Sequence, residues 1–373
     1  MTSNKVAAIA AATTGLRSAW SQAQHIDLIS AVVSQVFKGT GLTLDDVDFV
    51  IDSGSDVLDG RSISNCGFLG ALGAHHKEES RVEEDGLWAA LYGAAKIASG
   101  AASVGLIVAY SKPSESDINL FYSSQCEPFY QRPVGFDHRA ASGLQAQRYL
   151  GQHGLSERDL ARVVARRWAD AARHGRVEVA SVPSEDDILA SDNIAAPLKA
   201  LMMSRPVDGA VAVLLADQDI ARRAARTPLW ITGMGSSMDR HSFAARKPDK
   251  LEACEIAAQR AYAQAGWKSP PRAAITEVSA SSAVTELMVL ESIGQAKAGR
   301  SIELLEGSAS INLSGGALPA DPVMATGLVR LSEAMRQMSY PADYGIATAP
   351  TAAVVHGAGG VGMQSHCVMT LEA

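Results

Sequence analysis

Three acidic residues come directly before a stretch that is rich in small and apolar residues. Glu83, Glu84 and Asp85 precede residues 86–98, whose composition predicts a buried helix. Acidic residues at a helix start are stabilised by the helix dipole by about 0.3–1 kcal/mol, with no catalytic role implied. If such carboxylates are buried together, like charges raise the pKa of one toward a value that suits a general base. The run therefore predicts either a helix start or a candidate acid–base group.

A second polar segment combines one histidine with closely spaced glycines. His356 is followed by Gly357, Gly359 and Gly360. An imidazole beside a glycine-rich loop is a candidate site residue and equally a structural one. The glycines favour close backbone packing over ligand contact, although a loop of this kind can also hold a ligand. Serines at 279, 281 and 282 bond local backbone in the simplest interpretation.

The cysteines and the remaining histidines do not have the spacing of a metal site. The four cysteines lie far apart in the chain, with no CxxC pair: Cys66, Cys126, Cys254 and Cys367. The adjacent pair His75-His76 indicates a surface loop, and Gly315-Gly316 is a weak anion-binding signal. No glycine-rich dinucleotide fingerprint follows the first predicted strand. We therefore expect neither a metal nor a redox cofactor.

Short apolar runs alternate with helical patterns along the chain, which favours an α/β fold with mainly parallel strands. Predicted strands cover residues 6–12, 47–51, 104–109, 229–232, 273–278 and 352–355, and predicted helices cover 26–37, 86–98, 255–265 and 322–335.

The order of these elements repeats. Val6 and Ile231 are 225 positions apart, as are Gly41 and Gly266, each glycine following a predicted helix. Such a repeat indicates a duplicated fold. We predict an N-terminal half over residues 1–225 and a C-terminal half over 226–373. Residues 111–204 form an insertion in the first half, either a binding surface or a lid over apolar surface.

Composition narrows the classes of function. The 373 residues carry a net charge of −7, which gives no reason to expect nucleic-acid or anionic-membrane binding. No run reaches the roughly 18 apolar residues of a membrane span, and the first residues do not have the pattern of a signal peptide. Scattered cysteines indicate reduced thiols. We expect a soluble cytoplasmic protein.

Four segments resemble thiolase motifs, in the family's order. DGAVAV (208–213) resembles the stretch that closes the first thiolase half. NLSGG (312–316) with DPVMATG (321–327) resembles the "NPSGG…GHPxGATG" block, and HGAGGVG (356–362) resembles the last glycine-rich loop. EVSASSAVTELMVLESIG (277–294) is similar to a stretch of the sterol-carrier-protein type. The resemblance covers nearly the whole chain and implies the thiolase fold, with two duplicated βαβ-rich halves in five α/β/α/β/α layers.

The same resemblance implies that the catalytic positions have changed. Glu83 stands where a thiolase has its nucleophilic cysteine at a helix start. Ser279 and Asp321 stand where histidines are expected, and His356 keeps a polar group in the last motif. A glutamate cannot support ordinary thioester exchange, because it would form a mixed anhydride. Conventional thiolase activity by this chain alone is therefore not expected.

Two functions fit these substitutions, and the resemblance implies coenzyme A thioesters as ligands of both. The leading one is a catalytically degenerate subunit that completes a heteromeric thiolase or acyltransferase assembly, paired with itself or a paralogue and with a small acyl-CoA-binding subunit. The alternative is a cysteine-independent carbon–carbon lyase that cleaves a β-hydroxyacyl-CoA. Its base would come from Glu83, Asp85, Asp321 or His356, and Tyr340 or Tyr344 would donate to the enolate.

Overall fold

The computed structural model describes residues 4–271, 274–307 and 310–373. Its strands are β1 (Val6–Thr13), β2 (Phe49–Ser53), β3 (Glu78–Val82), β4 (Val104–Ser111), β5 (Asn193–Ala195), β6 (Leu198–Lys199), β7 (Gly209–Asp217), β8 (Leu229–Met238), β9 (Ile275–Val278), β10 (Ala352–Gly359) and β11 (Ser365–Glu372). Position 273, the predicted start of β9, lies outside the described residues.

The helices alternate with these strands. They are α1 (His25–Val36), α2 (Asp56–Asp59), α3 (Leu69–Leu72), α4 (Gly86–Ala98), α5 (Ile118–Ser124), α6 (His138–His153), α7 (Glu157–Ala172), α8 (Glu185–Ala190), α9 (Gln218–Ala224), α10 (Glu252–Ala265), α11 (Ala283–Ser292) and α12 (Thr326–Ser339). In the described part of the chain, none of them combines the length and the hydropathy that crossing a membrane requires.

Nine strands form one mixed sheet in the order β3-β2-β4-β7-β1-β8-β11-β10-β9. The expectation of mainly parallel strands is wrong: among the described strands, β2/β3, β2/β4 and β9/β10 pair in parallel, and the other five pairs of neighbours are antiparallel. The reason is local for β10 and β11, which are joined by a short turn that reverses the chain instead of a crossover helix.

The two arms of this sheet repeat one strand order. They meet where β1 pairs with β8 over only two positions, Ala7↔Trp230 and Ala8↔Leu229. Outward from this seam the first arm runs β1-β7-β4-β2-β3, and the second runs β8-β11-β10-β9. A bridge between Thr276 and Ile311 occupies the place that corresponds to β3. This order is that of a duplicated fold, and the boundary near residue 225 stays a prediction.

Helices α4 and α12 lie between the two arms and contact both. Small side chains in α4 allow close approach; a Cβ on Gly93 would lie 2.5 Å from Ile107 Cδ1. One apolar cluster joins both helices to both arms, a second packs α1 outside the first arm, and a third packs α6, α7, α10 and α11 outside the second. The outer helices, the two arms of the sheet and the central helices thus form the five layers of the fold, and these clusters pack the layers together.

Two differences from the predicted helices bear on the site. The predicted 322–335 helix begins at Thr326 instead, after a 3₁₀ turn over Val323–Ala325, and extends to Ser339. The insertion has two roles: α6 and α7 cover the apolar outer face of the second arm, whereas its aromatic first part reaches the cavity described below. One part of the insertion thus covers apolar surface, and a binding role for the other part stays a prediction.

Candidate functional site

A cavity of about 370 Å³ opens where the N-terminal ends of α4 and α12 meet the loop after β10. It receives side chains from both arms and from the insertion. Its lining consists of Ser55, Val57, Glu83, Glu84, Asp85, Phe121, Tyr122, Ser124, Gln125, His138, Ser279, Ala280, Ser281, Asp321, Val323, Met324, Thr326, Ala358, Gly359, Gly360, Gly362, Met363 and Gln364.

Asp85 lies at the point where the two central helices converge. It caps α4 by accepting a hydrogen bond from the Leu87 N–H at 2.9 Å, and its second oxygen accepts from the Gly327 N–H of α12 at 2.6 Å. Burial raises the pKa of Asp85 to about 8, although both N–H bonds act to lower it. A proton on this carboxyl therefore exchanges near neutral pH.

Two glycines make room for the Asp85 carboxylate. A Cβ on Gly327 would lie 1.9 Å from Asp85 Oδ1, and a Cβ on Gly357 would lie 2.6 Å from the same atom. A Cβ on Gly359 would likewise lie 2.3 Å from Glu84 Oε2. Gly357 and Gly359 thus pack against acidic side chains, and Gly359 and Gly360 line the cavity.

The two glutamates before Asp85 have different environments. Glu84 accepts a hydrogen bond from the Ser365 hydroxyl at 3.0 Å, and burial raises the pKa of its carboxyl. Glu83, which the sequence resemblance predicts at the position of the thiolase cysteine, has a half-exposed side chain at the rim and accepts a hydrogen bond from Arg81 Nε at 2.8 Å. Of the three acidic residues, Asp85 is the one fully enclosed at the helix start.

Asp321 and Ser279 enter the cavity from the second half. Asp321 accepts hydrogen bonds from Ser204 Oγ at 2.7 Å, Thr326 Oγ1 at 2.5 Å and the Val323 N–H at 3.1 Å, and burial raises the pKa of its carboxyl. The Ser279 hydroxyl is buried without a hydrogen-bond partner among the described residues. The structure therefore brings the predicted positions 83, 279 and 321 to one cavity.

His356 lies on the opposite face of β10 from the cavity. Alternation along the strand turns Gly357 and Gly359 toward the acidic residues and His356 toward the outer helices. Its Nε2 is 2.9 Å from Nδ1 of His366, and burial holds the pKa of His356 well below its usual range. His356 does not line the cavity, so the structure separates it from the other candidates.

Two lining residues come from the insertion and carry weak sequence signals. Tyr122 follows another aromatic residue, Phe121, in α5, and His138 begins α6 directly after its cap, Asp137. Their rings stack with centroids 4.2 Å apart. Burial lowers the pKa of His138 to about 4, and its Nδ1 has no hydrogen-bond partner in the described ranges. No motif marks His138, because nothing but the fold brings it to the cavity.

The proposed tyrosine donors and the cysteines lie elsewhere. Tyr344 donates to Glu333 at 2.8 Å, and Tyr340 is largely exposed; neither lines the cavity. Within the part of the chain that the structure describes, no cysteine lines it either. Cys367 is the cysteine that lies near the start of α4, but it is fully buried, and burial beside Asp85 holds the pKa of its thiol well above the usual value.

Comparison with known proteins gives consistent results. Residues 235–373 match a family described as thiolase C-terminal domain-like. Acetyl-CoA acetyltransferase of Methanothermobacter thermautotrophicus is 24% identical over 59% of this chain and 59% of its own length. The Methanocaldococcus jannaschii acetyl-CoA acetyltransferase is 23% identical over 65% of both chains. The aligned part thus spans less than two thirds of either relative.

Solved structures resemble the whole chain. The Ltp2-ChsH2(DUF35) aldolase superposes with a TM-score of 0.84 at 20% identity, covering 100% of this chain and 99% of that one. Human mitochondrial 3-ketoacyl-CoA thiolase superposes with a TM-score of 0.77 at 16% identity, covering 99% of both. These likenesses establish the fold.

Proposed function

Because the chain belongs to the thiolase superfamily, we propose that it binds acyl-CoA thioesters and cleaves the Cα–Cβ bond of a β-hydroxyacyl-CoA without a covalent intermediate. The observation that carries this proposal is the cavity at the starts of α4 and α12, which holds an enclosed carboxyl, Asp85, and no cysteine among its described lining residues. A structurally similar chain occurs in a protein described as an aldolase, which supports the choice of reaction.

Asp85 is the proposed general base. Its carboxylate takes the proton of the β-hydroxyl, the Cα–Cβ bond breaks, and the carbon–oxygen double bond of the carbonyl product forms. The electron pair of the broken bond passes to the thioester as an enolate, whose α-carbon then takes the proton back from Asp85. A pKa near 8 suits both transfers, because the group accepts and returns a proton near neutral pH.

Tyr122, His138 and Ser279 are the proposed donors to the enolate oxygen. Burial and the nearby Asp321 charge raise the pKa of Tyr122, so its hydroxyl keeps its proton. The pKa of His138, about 4, leaves a neutral imidazole that can still donate one N–H. Prearranged donors of this kind stabilise charge that develops in the transition state.

The cavity suits the acyl part of such a ligand better than its phosphates. Four of its lining side chains are acidic, and none in the described residues is lysine or arginine. The coenzyme A phosphates would therefore bind outside it. We expect the chain to act with a thiolase-fold partner, itself or a paralogue, and with a small acyl-CoA-binding subunit.

The test is direct detection of cleavage. The protein, purified from its own cells with any bound partner, is incubated with β-hydroxyacyl-CoA thioesters of several chain lengths, and mass spectrometry follows the shortened acyl-CoA and the carbonyl product. Asp85→Asn should lower kcat/KM by about 10²-fold or more, the usual contribution of a general base. Glu83→Gln, at the rim, is the matched control and should retain activity within about threefold. Equal activity of wild type and Asp85→Asn would refute the mechanism.

A second candidate is the non-catalytic subunit of a heteromeric thiolase or acyltransferase. This candidate is favoured by the hydrogen bonds that Asp85 and Asp321 already accept within the protein, two and three respectively, because such bonds can serve structure alone. Native mass spectrometry of the untreated complex would then show a cysteine-bearing thiolase homologue bound to this chain. Turnover by that complex would survive Asp85→Asn, whereas a homodimer with cleavage activity of its own would exclude this candidate.

A further inference from the structure

A cluster of three metal-ligating side chains lies behind β10, on the face away from the cavity. Cys254 of α10, His356 of β10 and His366 of β11 are fully buried. One potential ligand atom from each lies within 4.8 Å of the other two. We propose that these three residues bind a single soft transition-metal ion, zinc or copper(I), that joins α10 to the second arm of the sheet.

The hydrogen bonds of the histidines leave one ring lone pair unused. His366 Nε2 is 2.9 Å from the Met363 carbonyl oxygen, which can only accept, so Nε2 carries the ring proton and Nδ1 is an acceptor. This Nδ1 faces His356 Nε2 at 2.9 Å, which therefore carries the proton of that ring. His356 Nδ1 is left buried with no hydrogen-bond partner among the residues described. A buried ring nitrogen without a hydrogen-bond partner lowers the stability of the folded state, because it has lost its bonds to water.

The carbonyl contact also resembles the surroundings of metal-bound histidines. Such histidines usually donate their second ring N–H to a carbonyl or a carboxylate, which fixes the ring and its tautomer. His366 already has this arrangement through Met363. The ring is thereby held with its Nδ1 lone pair toward His356, and this lone pair becomes available to a metal once His356 Nε2 gives up its proton.

The donor set selects the class of ion. One thiolate and two imidazoles suit zinc and copper(I), whereas magnesium and calcium require oxygen ligands. Ligand atoms around zinc are about 3.3–3.7 Å apart, given bond lengths near 2.0–2.3 Å. The ligand atoms of the cluster, within 4.8 Å of one another, are therefore at most about 1.5 Å farther apart than in a zinc site. On binding, the Cys254 thiol proton passes to solvent, and the His356 proton moves from Nε2 to Nδ1 if Nε2 is the ligand atom.

Charge distinguishes the two ions. Copper(I) with one thiolate and two neutral imidazoles is electrically neutral and complete with three ligands. Zinc would leave one positive charge in a buried site and requires a fourth ligand, such as water. Either ion would hold β10 in place, and the opposite face of this strand carries Gly357 and Gly359 against Asp85 and Glu84. The proposed role is therefore structural support.

The first experiment is elemental analysis of untagged protein purified without chelators. We expect about one zinc or copper per chain, and the element found identifies the ion. Cys254→Ser and Cys254→Ala should lower this content at least tenfold. Cys126→Ser, which changes another buried free cysteine outside the cluster, should leave it unchanged. Full metal content in the Cys254 variants would overturn the proposal.

Wild-type protein provides a test that does not depend on the variants folding. The protein is unfolded with chelator, and samples are refolded without metal, with Co²⁺ as a zinc probe, and with copper(I). Refolded cobalt protein should show the near-ultraviolet charge-transfer absorption of a cobalt thiolate, or copper(I) should raise the thermal midpoint reproducibly at one equivalent. Metal-free isolated protein that acquires neither signal would refute the site.

Discussion

Replacing Gly327 by alanine tests whether Asp85 is fixed between the two central helices. In an open helix interior, alanine is more favourable than glycine by about 1 kcal/mol. At position 327, however, the new Cβ would lie 1.9 Å from Asp85 Oδ1 and 2.9 Å from Leu87 Cβ. The carboxyl would have to move by roughly 1.5 Å to reach ordinary contact distance. Its hydrogen bonds to both helices would then be disturbed.

The expected loss of stability follows from these contacts. Overpacking in a tight interior costs about 1–3 kcal/mol. Loss of one or two hydrogen bonds by a protonated carboxyl adds about 1–3 kcal/mol. After subtraction of the helix-propensity gain, Gly327→Ala should lower the free energy of unfolding by about 1–5 kcal/mol. The matched control is Gly151→Ala in α6, where the new Cβ meets no atom of the described structure within 4 Å. It should be neutral or stabilising by up to about 1 kcal/mol.

Urea denaturation at pH 7 measures both variants, and a double-mutant cycle identifies the cause. If the Asp85 carboxyl is what the new methyl group meets, Gly327→Ala should cost less in an Asp85→Ala background. The expected coupling is about 0.5–3 kcal/mol. Equal midpoints for Gly327→Ala and Gly151→Ala would refute the reasoning. Strict additivity in the cycle would assign the cost to contacts other than Asp85.

Three further predictions concern stability and the cavity. Folding raises the pKa of Asp85 from 3.8 to about 8, so between these pH values the folded state holds a proton that the unfolded state has lost. The contribution of the protonated carboxyl to stability is therefore full below about pH 4 and is lost as the pH rises to about 8. Asp85→Asn should therefore reduce the fall in urea midpoint between pH 5 and pH 8. Arg330→Met removes the cation that lies 2.9 Å from the buried Glu277 carboxylate, and should lower the free energy of unfolding by about 3–5 kcal/mol. The double variant with Glu277→Gln should recover most of the lost stability in the same assay. Asp117→Ala removes the N-cap of α5 and should cost about 1 kcal/mol by urea denaturation, while kcat/KM for the proposed cleavage falls further because α5 carries Tyr122.

The sequence predicts elements better than it predicts which strand face a residue occupies. Residues 86–98 form α4 with the predicted bounds, since an acidic cap precedes a run of small residues. His356 is different, because a shift of one position along a strand turns a side chain to the other face. The alternation from His356 to Gly359 is visible in the sequence, but which set faces α4 depends on packing between the two arms.

The strand directions and the insertion show a second limit of sequence reasoning. An alternation of strands and helices predicts parallel pairing, but it does not reveal that β11 returns from β10 through a turn. Tyr122 and His138 reach the cavity because α5 and α6 cross from the first half toward the second. Such long-range proximity has no local signature. The size of the insertion favoured a binding surface or a lid without identifying the participating side chains.

The helix starts that meet at Asp85 bear on the chemistry that we propose for the cavity. The resemblance implies that cysteine-dependent thiolases have their cysteine at a helix N-terminus, where the helix dipole favours the thiolate. Here N–H groups of two helices contact a carboxyl instead, and those contacts alone would hold its pKa low. Burial outweighs them and raises the pKa to about 8. A group with that pKa is a poor acyl carrier but an effective proton carrier. Under the proposed function, an enclosed carboxyl at this helix start therefore favours proton transfer over covalent catalysis.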